Sequence, residues 1–140
     1  MKDGYIKVAA VTPQVTVADV KENTKEILKV IREAAAQKAK IIVLPELCIT
    51  GYTCNDLFLQ ELLLEKAKEA LLTIAEETGQ LETLFLVGLP VDKDGRLYNV
   101  AAVLYRGRIL GMIPKKNIPM YAEFYEGRHF TPGEETVTAV

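Results

Sequence analysis

The fold is decided by Ile41-Ile42-Val43-Leu44-Pro45-Glu46, in which an apolar run leads directly into a proline and a carboxylate. A short apolar run of this kind predicts a buried strand. In open α/β sheets, ligands bind beyond the carboxyl ends of the strands. The stretch therefore predicts an α/β fold and makes Glu46 a candidate functional residue.

A second ionisable group occupies the same kind of position. Residues 108–113 predict another strand, and they are followed by Pro114-Lys115-Lys116-Asn117-Ile118-Pro119. A carboxylate and an ammonium that lie near each other keep each other charged at neutral pH. The sequence thus places a glutamate at one strand end and a lysine at another.

Composition limits the class of protein. The chain has 140 residues, of which 49% are hydrophobic and 26% charged, with a formal net charge of -2. This length predicts one domain, and the charge gives no basis for binding nucleic acid. No apolar run approaches the roughly 20 residues of a membrane-spanning helix, and residues 1–4 do not begin a signal peptide. We therefore expect a cytoplasmic protein with neither a nucleic-acid nor a membrane partner.

Strands and helices alternate in the first half of the chain. Residues 5–11 and 40–44 predict two strands, and Thr16 and Asp19 match a capping box that opens a helix between them. Such a β-α-β unit is right-handed and parallel. A second amphipathic helix is predicted over residues 60–78. The predicted apolar faces are Val20, Ile27, Ile31, Ala34 and Ala35 in the first helix, and Leu63, Ala67, Ala70, Leu71 and Ile74 in the second.

The pattern changes after residue 84. Three apolar runs are separated by Asp92-Lys93-Asp94-Gly95 and Arg106-Gly107, which predicts antiparallel hairpins and hence a mixed sheet. Residues 115–133 lose this regularity and carry aromatic and charged side chains, as functional or interfacial loops do. Residues 136–140 alternate like the beginning of a strand. We therefore expect that the chain is cut within a domain.

Two motifs resemble those of the carbon-nitrogen hydrolase, or nitrilase-like, family. Residues 45–52 are similar to the glutamate motif of that family, and residues 114–119 are similar to its lysine motif. The wider stretches 51–58 and 119–126 resemble the amide-hydrolysing domain at the start of glutamine-dependent NAD⁺ synthetases. The resemblance covers essentially the whole chain but only the first half or so of that domain. It implies an α-β-β-α sandwich in incomplete form.

The resemblance also implies a cysteine-glutamate-lysine triad that acts on the side-chain amide of glutamine. In this chemistry a thiolate attacks the amide, a glutamate transfers the proton to ammonia, and a lysine stabilises the oxyanion. Glu46 matches the glutamate and Lys115 the lysine. Glu123 matches a second acidic residue that holds the lysine and orients the substrate. Tyr52 matches a residue that lines the glutamine pocket.

The cysteine of the triad has no counterpart in these 140 residues. Cys48 and Cys54 lie near Glu46 in sequence, whereas the family's cysteine follows a later strand. We therefore expect both to be small buried or loop thiols, and the chain alone to be inactive. No metal site is predicted, since His129 is the only histidine and is expected to be structural or ligand-adjacent.

The resemblance places the complete reaction in a longer protein. There, ammonia would pass to a synthetase domain in which ATP, with Mg²⁺, activates deamido-NAD⁺. No cofactor is expected to bind these 140 residues, because no glycine-rich phosphate-binding motif occurs. The implied partners are glutamine, the synthetase domain and further copies of the chain in a homo-oligomer.

Each assignment has a simpler alternative. Glu46 can be a solvated strand-end carboxylate, and Lys115 and Lys116 can be two surface lysines. Glu123 can pair with Arg128. Tyr52 can be a half-buried aromatic residue that serves only in packing. The chain as a whole can belong to an amidase for a different amide, or be a short noncatalytic binding or assembly module.

Overall fold

Five strands form one mixed sheet in the order β1-β2-β3-β4-β5 in the computed structural model, which describes residues 4–121 and 124–134. The strands are β1 Val8–Ala10, β2 Ile41–Val43, β3 Leu84–Lys93, β4 Arg96–Tyr105 and β5 Arg108–Pro114. Strands β1, β2 and β3 are parallel, and β3, β4 and β5 are antiparallel. The mixed sheet predicted from the sequence is confirmed.

Strands β1 and β2 are shorter than predicted. Their ladder holds three residue pairs, from Val8 with Ile41 to Ala10 with Val43. The two hairpins agree with the prediction more closely. Asp94 and Gly95 form one turn and Arg106 and Gly107 the other, and all four have φ between 48° and 75°. Positive φ at both central residues is the geometry of a two-residue turn that matches the twist of the strands.

Two α-helices, α1 Val20–Ala36 and α2 Glu61–Glu77, pack against each other and against the sheet. The predicted capping box is wrong in register, because the N-cap of α1 is Asp19, whose carboxylate accepts a hydrogen bond from the Glu22 amide at 3.1 Å. Ala18 has a left-handed φ of 60°, so the chain cannot be helical before Asp19. The predicted apolar faces are buried, except for Ala35, which is half-buried.

The two faces of the sheet have different surroundings. One face carries fully buried side chains, among them Ile42, Phe85 and Leu104, which share the core with residues of both helices. Successive residues of a strand point to opposite faces. On the other face, Val8 and Val43 are 62% and 47% exposed. The described residues therefore provide one helical layer and one sheet, which is half of the implied four-layer sandwich.

Neither α-helix in the part of the chain that the structure describes is long and apolar enough to cross a membrane. Two 3₁₀ helices, Asn55–Leu59 and Glu126–Arg128, lie in the loops that follow β2 and β5. The strand predicted at residues 136–140 lies outside the described residues.

Candidate active site

Glu46 lies on a tight turn that follows β2 and crosses β3 at Gly88. The Ile49 amide donates to the Gly88 carbonyl oxygen at 3.2 Å, and Leu47 has a φ of 52°. A Cβ atom at position 88 would lie 2.7 Å from the Pro45 carbonyl oxygen and would also overlap the Leu47 amide nitrogen. The turn can approach β3 this closely only because residue 88 is a glycine.

Lys115 is the first residue after β5, and the structure brings it to Glu46. Its Nζ atom donates to Oε1 of Glu46 at 2.7 Å, although the two residues are 69 positions apart in the sequence. The side chains are 29% and 40% exposed. The carboxylate predicted at one strand end and the ammonium predicted at the other thus form a single pair.

Asn99 of β4 contacts both members of this pair. Its Nδ2 atom donates to Oε1 of Glu46 at 2.5 Å, and its backbone carbonyl oxygen accepts the Lys115 amide at 2.7 Å. Asn99 is almost fully buried. Asn99 was not predicted from the sequence, because an asparagine in the middle of a predicted strand carries no signal of the residue that it will face.

Glu126 is the second acidic residue that contacts Lys115. The Nζ atom lies 3.1 and 3.2 Å from the two carboxylate oxygens of Glu126, which is only 7% exposed. The Tyr52 hydroxyl donates to Oε1 of Glu126 at 2.6 Å. Glu123, which was predicted for this role, lies outside the described residues, so its role stays a prediction. In the sequence, the only indication of Glu126 was the aromatic and charged character of the loop that contains it.

The electrostatic environment keeps the Lys115 ammonium charged. Partial burial acts to lower the pKa of Lys115, but hydrogen bonds and charge from Glu46 and Glu126 outweigh it, so that the pKa lies above its usual value. A lysine between two carboxylates is therefore a permanent cation and hydrogen-bond donor rather than a proton acceptor at neutral pH.

Contacts between the two 3₁₀ helices anchor the segment that carries Glu126. The His129 ring nitrogen Nε2 lies 3.0 Å from Oδ1 of Asp56, and an Arg128 guanidinium nitrogen lies 3.6 Å from the same oxygen. The hydrogen bond from His129, and then the charge of Arg128, lower the pKa of Asp56. Phe58 and Phe130 stack edge to face beside these residues. His129 thus has a structural contact, as one of its two predicted roles required.

A cavity of about 110 Å³ opens next to these contacts. Tyr52, Glu126 and His129 are among the residues that line it. Tyr52 is half-buried and presents its hydroxyl to a carboxylate of the site, while its place in a glutamine pocket stays a prediction.

Both cysteines are buried thiols whose polar partners are backbone carbonyl oxygens. The Cys48 thiol faces the Gly88 oxygen, and burial raises its pKa to about 11. Cys54 donates to the Thr50 oxygen at 3.2 Å, and burial raises its pKa as well. Because the thiolate is the nucleophilic form of cysteine, neither environment favours attack on a substrate. Across residues 4–121 and 124–134, no group of three or more potential metal ligands occurs.

Comparison with known proteins gives the family of this chain. Residues 7–140 match the carbon-nitrogen hydrolase family. A glutamine-dependent NAD(+) synthetase of Mycobacterium bovis is 38% identical over 131 residues, which make up 94% of this chain and 19% of that protein. The crystal structure of a glutamine-dependent NAD(+) synthetase from Cytophaga hutchinsonii is 34% identical with a TM-score of 0.88, and the alignment covers 93% of this chain and 22% of that one.

An amidase from Nesterenkonia sp. shares the fold at lower sequence identity. It is 22% identical with a TM-score of 0.78, and the alignment covers 96% of this chain and 51% of that one. The sheet and these matches identify an α/β protein of the nitrilase type, and the chain belongs to the carbon-nitrogen hydrolase family. Within that family it is similar to glutamine-dependent NAD(+) synthetases, and it spans about a fifth of the length of the curated relatives that it matches.

Proposed function

We propose that this chain is the first part of a glutamine-hydrolysing domain in a longer protein. The ammonia released from glutamine passes to a synthetase domain, where it converts deamido-NAD⁺ to NAD⁺ at the expense of ATP. The observation that carries the proposal is the contact of 2.7 Å between Lys115 and Glu46, which unites the carboxyl end of β2 with the end of β5. The similarity to glutamine-dependent synthetases supports glutamine as the amide.

The two residues have complementary roles in this reaction. Glu46 accepts the proton of a cysteine thiol while the thiolate attacks the amide carbon of glutamine, and it then delivers that proton to the departing ammonia. Lys115 donates a hydrogen bond to the oxyanion that forms on the amide oxygen. Departure of ammonia leaves the glutamyl group on the cysteine as a thioester. Water then hydrolyses this thioester to glutamate and regenerates the thiol. The nucleophile lies outside these 140 residues, so we expect the chain alone not to hydrolyse glutamine.

Glu126 and Tyr52 complete the part of the site that this chain contributes. Glu126 also binds the Lys115 ammonium and keeps it charged, which is the role that resemblance assigned to Glu123. Tyr52 fixes the Glu126 carboxylate at 2.6 Å and borders the cavity beside it. We propose that this cavity forms part of the glutamine site. ATP and Mg²⁺ bind to the synthetase domain. Several copies of the whole protein assemble as a homo-oligomer.

Substitution of Glu46 in the full-length protein tests the proposal. Because Glu46→Gln removes the base and nearly preserves its shape, glutamine-dependent NAD⁺ formation should fall by on the order of 10²-fold or more. NAD⁺ formation from added ammonia should persist, since it bypasses the amidase. Both rates can be measured on the same preparation.

Two lysine variants serve as a matched pair in the same assay. Lys115→Ala should abolish use of glutamine while sparing use of ammonia, whereas Lys116→Ala should have a mild effect. Normal glutamine use by Glu46→Gln would exclude Glu46 from the mechanism, and the reverse ranking of the lysines would exclude Lys115. Turnover of a different amide by the wild-type protein, without turnover of glutamine, would support another amidase of the family.

A further inference from the structure

Asn99 joins the two reactive side chains through one rigid strand. Strand β4 is hydrogen-bonded to β3 on one side and to β5 on the other, and Asn99 is 3% exposed. Its amide side chain contacts Glu46, and its backbone carbonyl contacts the Lys115 amide. A displacement of Asn99 therefore changes the position of the carboxylate relative to the ammonium.

The contact with Glu46 selects one of the two carboxylate oxygens. Among the described residues, Asn99 and Lys115 both direct their donors to Oε1. A carboxylate held through Oε1 can use Oε2 for proton transfer. Because the Asn99 amide is neutral, it orients the carboxylate without adding a charge to a site that already holds Lys115 and Glu126.

We propose that Asn99 is a positioning residue for the general base, which fixes Glu46 through Oε1 so that Oε2 exchanges the proton with the nucleophile and with ammonia. This inference rests on the proposed amide hydrolysis. A precise orientation matters because a misplacement of about 1 Å can cost on the order of 10²-fold in rate. Asn99 contacts no reacting atom, so its effect is exerted through Glu46.

A second buried asparagine provides the comparison with a structural role. Asn23 is fully buried, and its Nδ2 atom donates to the backbone oxygens of Thr16 and Ile49 at 2.8 and 3.0 Å. These bonds join the first turn of α1 to the segment before it and to the loop after β2. Asn23 thus satisfies backbone groups, whereas Asn99 directs its amide to a charged side chain of the site.

Two variants of Asn99 in the full-length protein separate positioning from folding. Asn99→Ala should lower kcat for glutamine by up to about 10²-fold while leaving KM for glutamine nearly unchanged. Asn99→Asp keeps the shape but places a second carboxylate against Glu46. Because two neighbouring carboxylates resist being ionised together, the acidic limb of the kcat/KM profile should move to higher pH. Thermal unfolding of each variant reports whether the amidase part is folded, and ammonia-dependent NAD⁺ formation shows that the synthetase part is intact.

Asn23→Asp is the control, because it makes the same chemical change at a structural asparagine. It should lower the unfolding temperature and leave the acidic limb in place. The positioning role is overturned if Asn99→Asp shows the wild-type pH profile, or if Asn23→Asp shifts the acidic limb equally. An inactive wild-type protein would instead contradict the proposed function, so the two failures are distinguishable.

Discussion

Among the residues that the structure describes, two carboxylates contact Lys115, and they are held by different parts of the molecule. Glu46 lies on a backbone turn packed directly onto β3, with hydrogen bonds from main chain to main chain. Glu126 lies in a 3₁₀ helix of an irregular loop. Main-chain hydrogen bonds such as that from the Glu126 amide to the Pro119 oxygen hold this loop, but its carboxylate is oriented by side chains, through Tyr52 and through the contact between His129 and Asp56 beside it. Backbone packing permits little adjustment, whereas contacts between side chains can rearrange. Substitutions on the Glu46 side should therefore have the larger effects.

The largest effect is expected for Gly88→Ala in the full-length protein. The added methyl group must displace the turn that carries Glu46, because the atoms that it would meet are backbone atoms of residues 45–47. We expect glutamine-dependent activity to fall by on the order of 10²-fold, as for a misplaced catalytic group. Overpacking should also reduce the free energy of unfolding by about 1–3 kcal/mol. Activity assays with glutamine and ammonia, combined with denaturant unfolding, measure both effects.

Gly95→Asn is the control for this prediction. Gly95 lies in the turn of the same β3-β4 hairpin, with no atom within 4 Å of a Cβ atom, and asparagine tolerates its left-handed φ of 74°. This variant should remain active with glutamine. Full activity of Gly88→Ala would show that the turn can move without loss of the base, which would remove the contrast between the two carboxylates.

An intermediate effect is expected for Glu126→Gln. This change preserves the shape but removes a charge that raises the pKa of Lys115. The pKa of Lys115 should fall towards its usual value, so the alkaline limb of the kcat/KM profile should move to lower pH. Loss of a charged hydrogen bond should also reduce kcat/KM by roughly 10- to 10²-fold.

Glu134→Gln is the control for the removal of a charge. Glu134 is an exposed glutamate that follows the same loop. It should leave both the rate and the alkaline limb unchanged. If Glu126→Gln behaves in the same way, Glu126 is not the residue that holds Lys115, and Glu123 becomes the stronger candidate for that role.

The smallest effect is expected for Asp56→Asn, which weakens the attachment of the loop and touches none of the reactive groups. A lowered pKa means that the Asp56 contact stabilises the folded protein above the ordinary pKa of aspartate and is lost as the pH falls through the lowered value. Because Asp56 is well exposed, the variant should unfold at a slightly lower temperature at neutral pH. The difference from wild type should disappear in acid.

Thermal unfolding at the two pH values tests this prediction, with KM for glutamine as a second measurement. Asp94→Asn, in a hairpin turn that tolerates either residue, should unfold like the wild type at both pH values. An unfolding difference that persists in acid would mean that Asp56 stabilises the loop by some route other than its charge.

The sequence alone was sufficient to predict the mixed sheet and the strand ends that carry Glu46 and Lys115. These predictions depend on local signals, namely an apolar run, the residue that ends it, and glycine-containing turns. The predicted capping box was also a local motif, but it was wrong in register. Ala18 has a left-handed φ, so the helix begins only after Asp19. Resemblance to known motifs then distinguished Lys115 from Lys116.

The tertiary structure alone decided which groups surround that pair. Asn99 reaches the site from the interior of a strand, Gly88 from the point where the turn crosses a strand, and Glu126 from an irregular loop. At none of these three places does a hydrophobic period or a turn motif in the sequence identify the neighbouring residue. Burial likewise decided that Cys48 and Cys54 have raised pKa values. Contacts between residues far apart in sequence depend on the path of the whole chain, whereas strands and turns depend on a few consecutive residues.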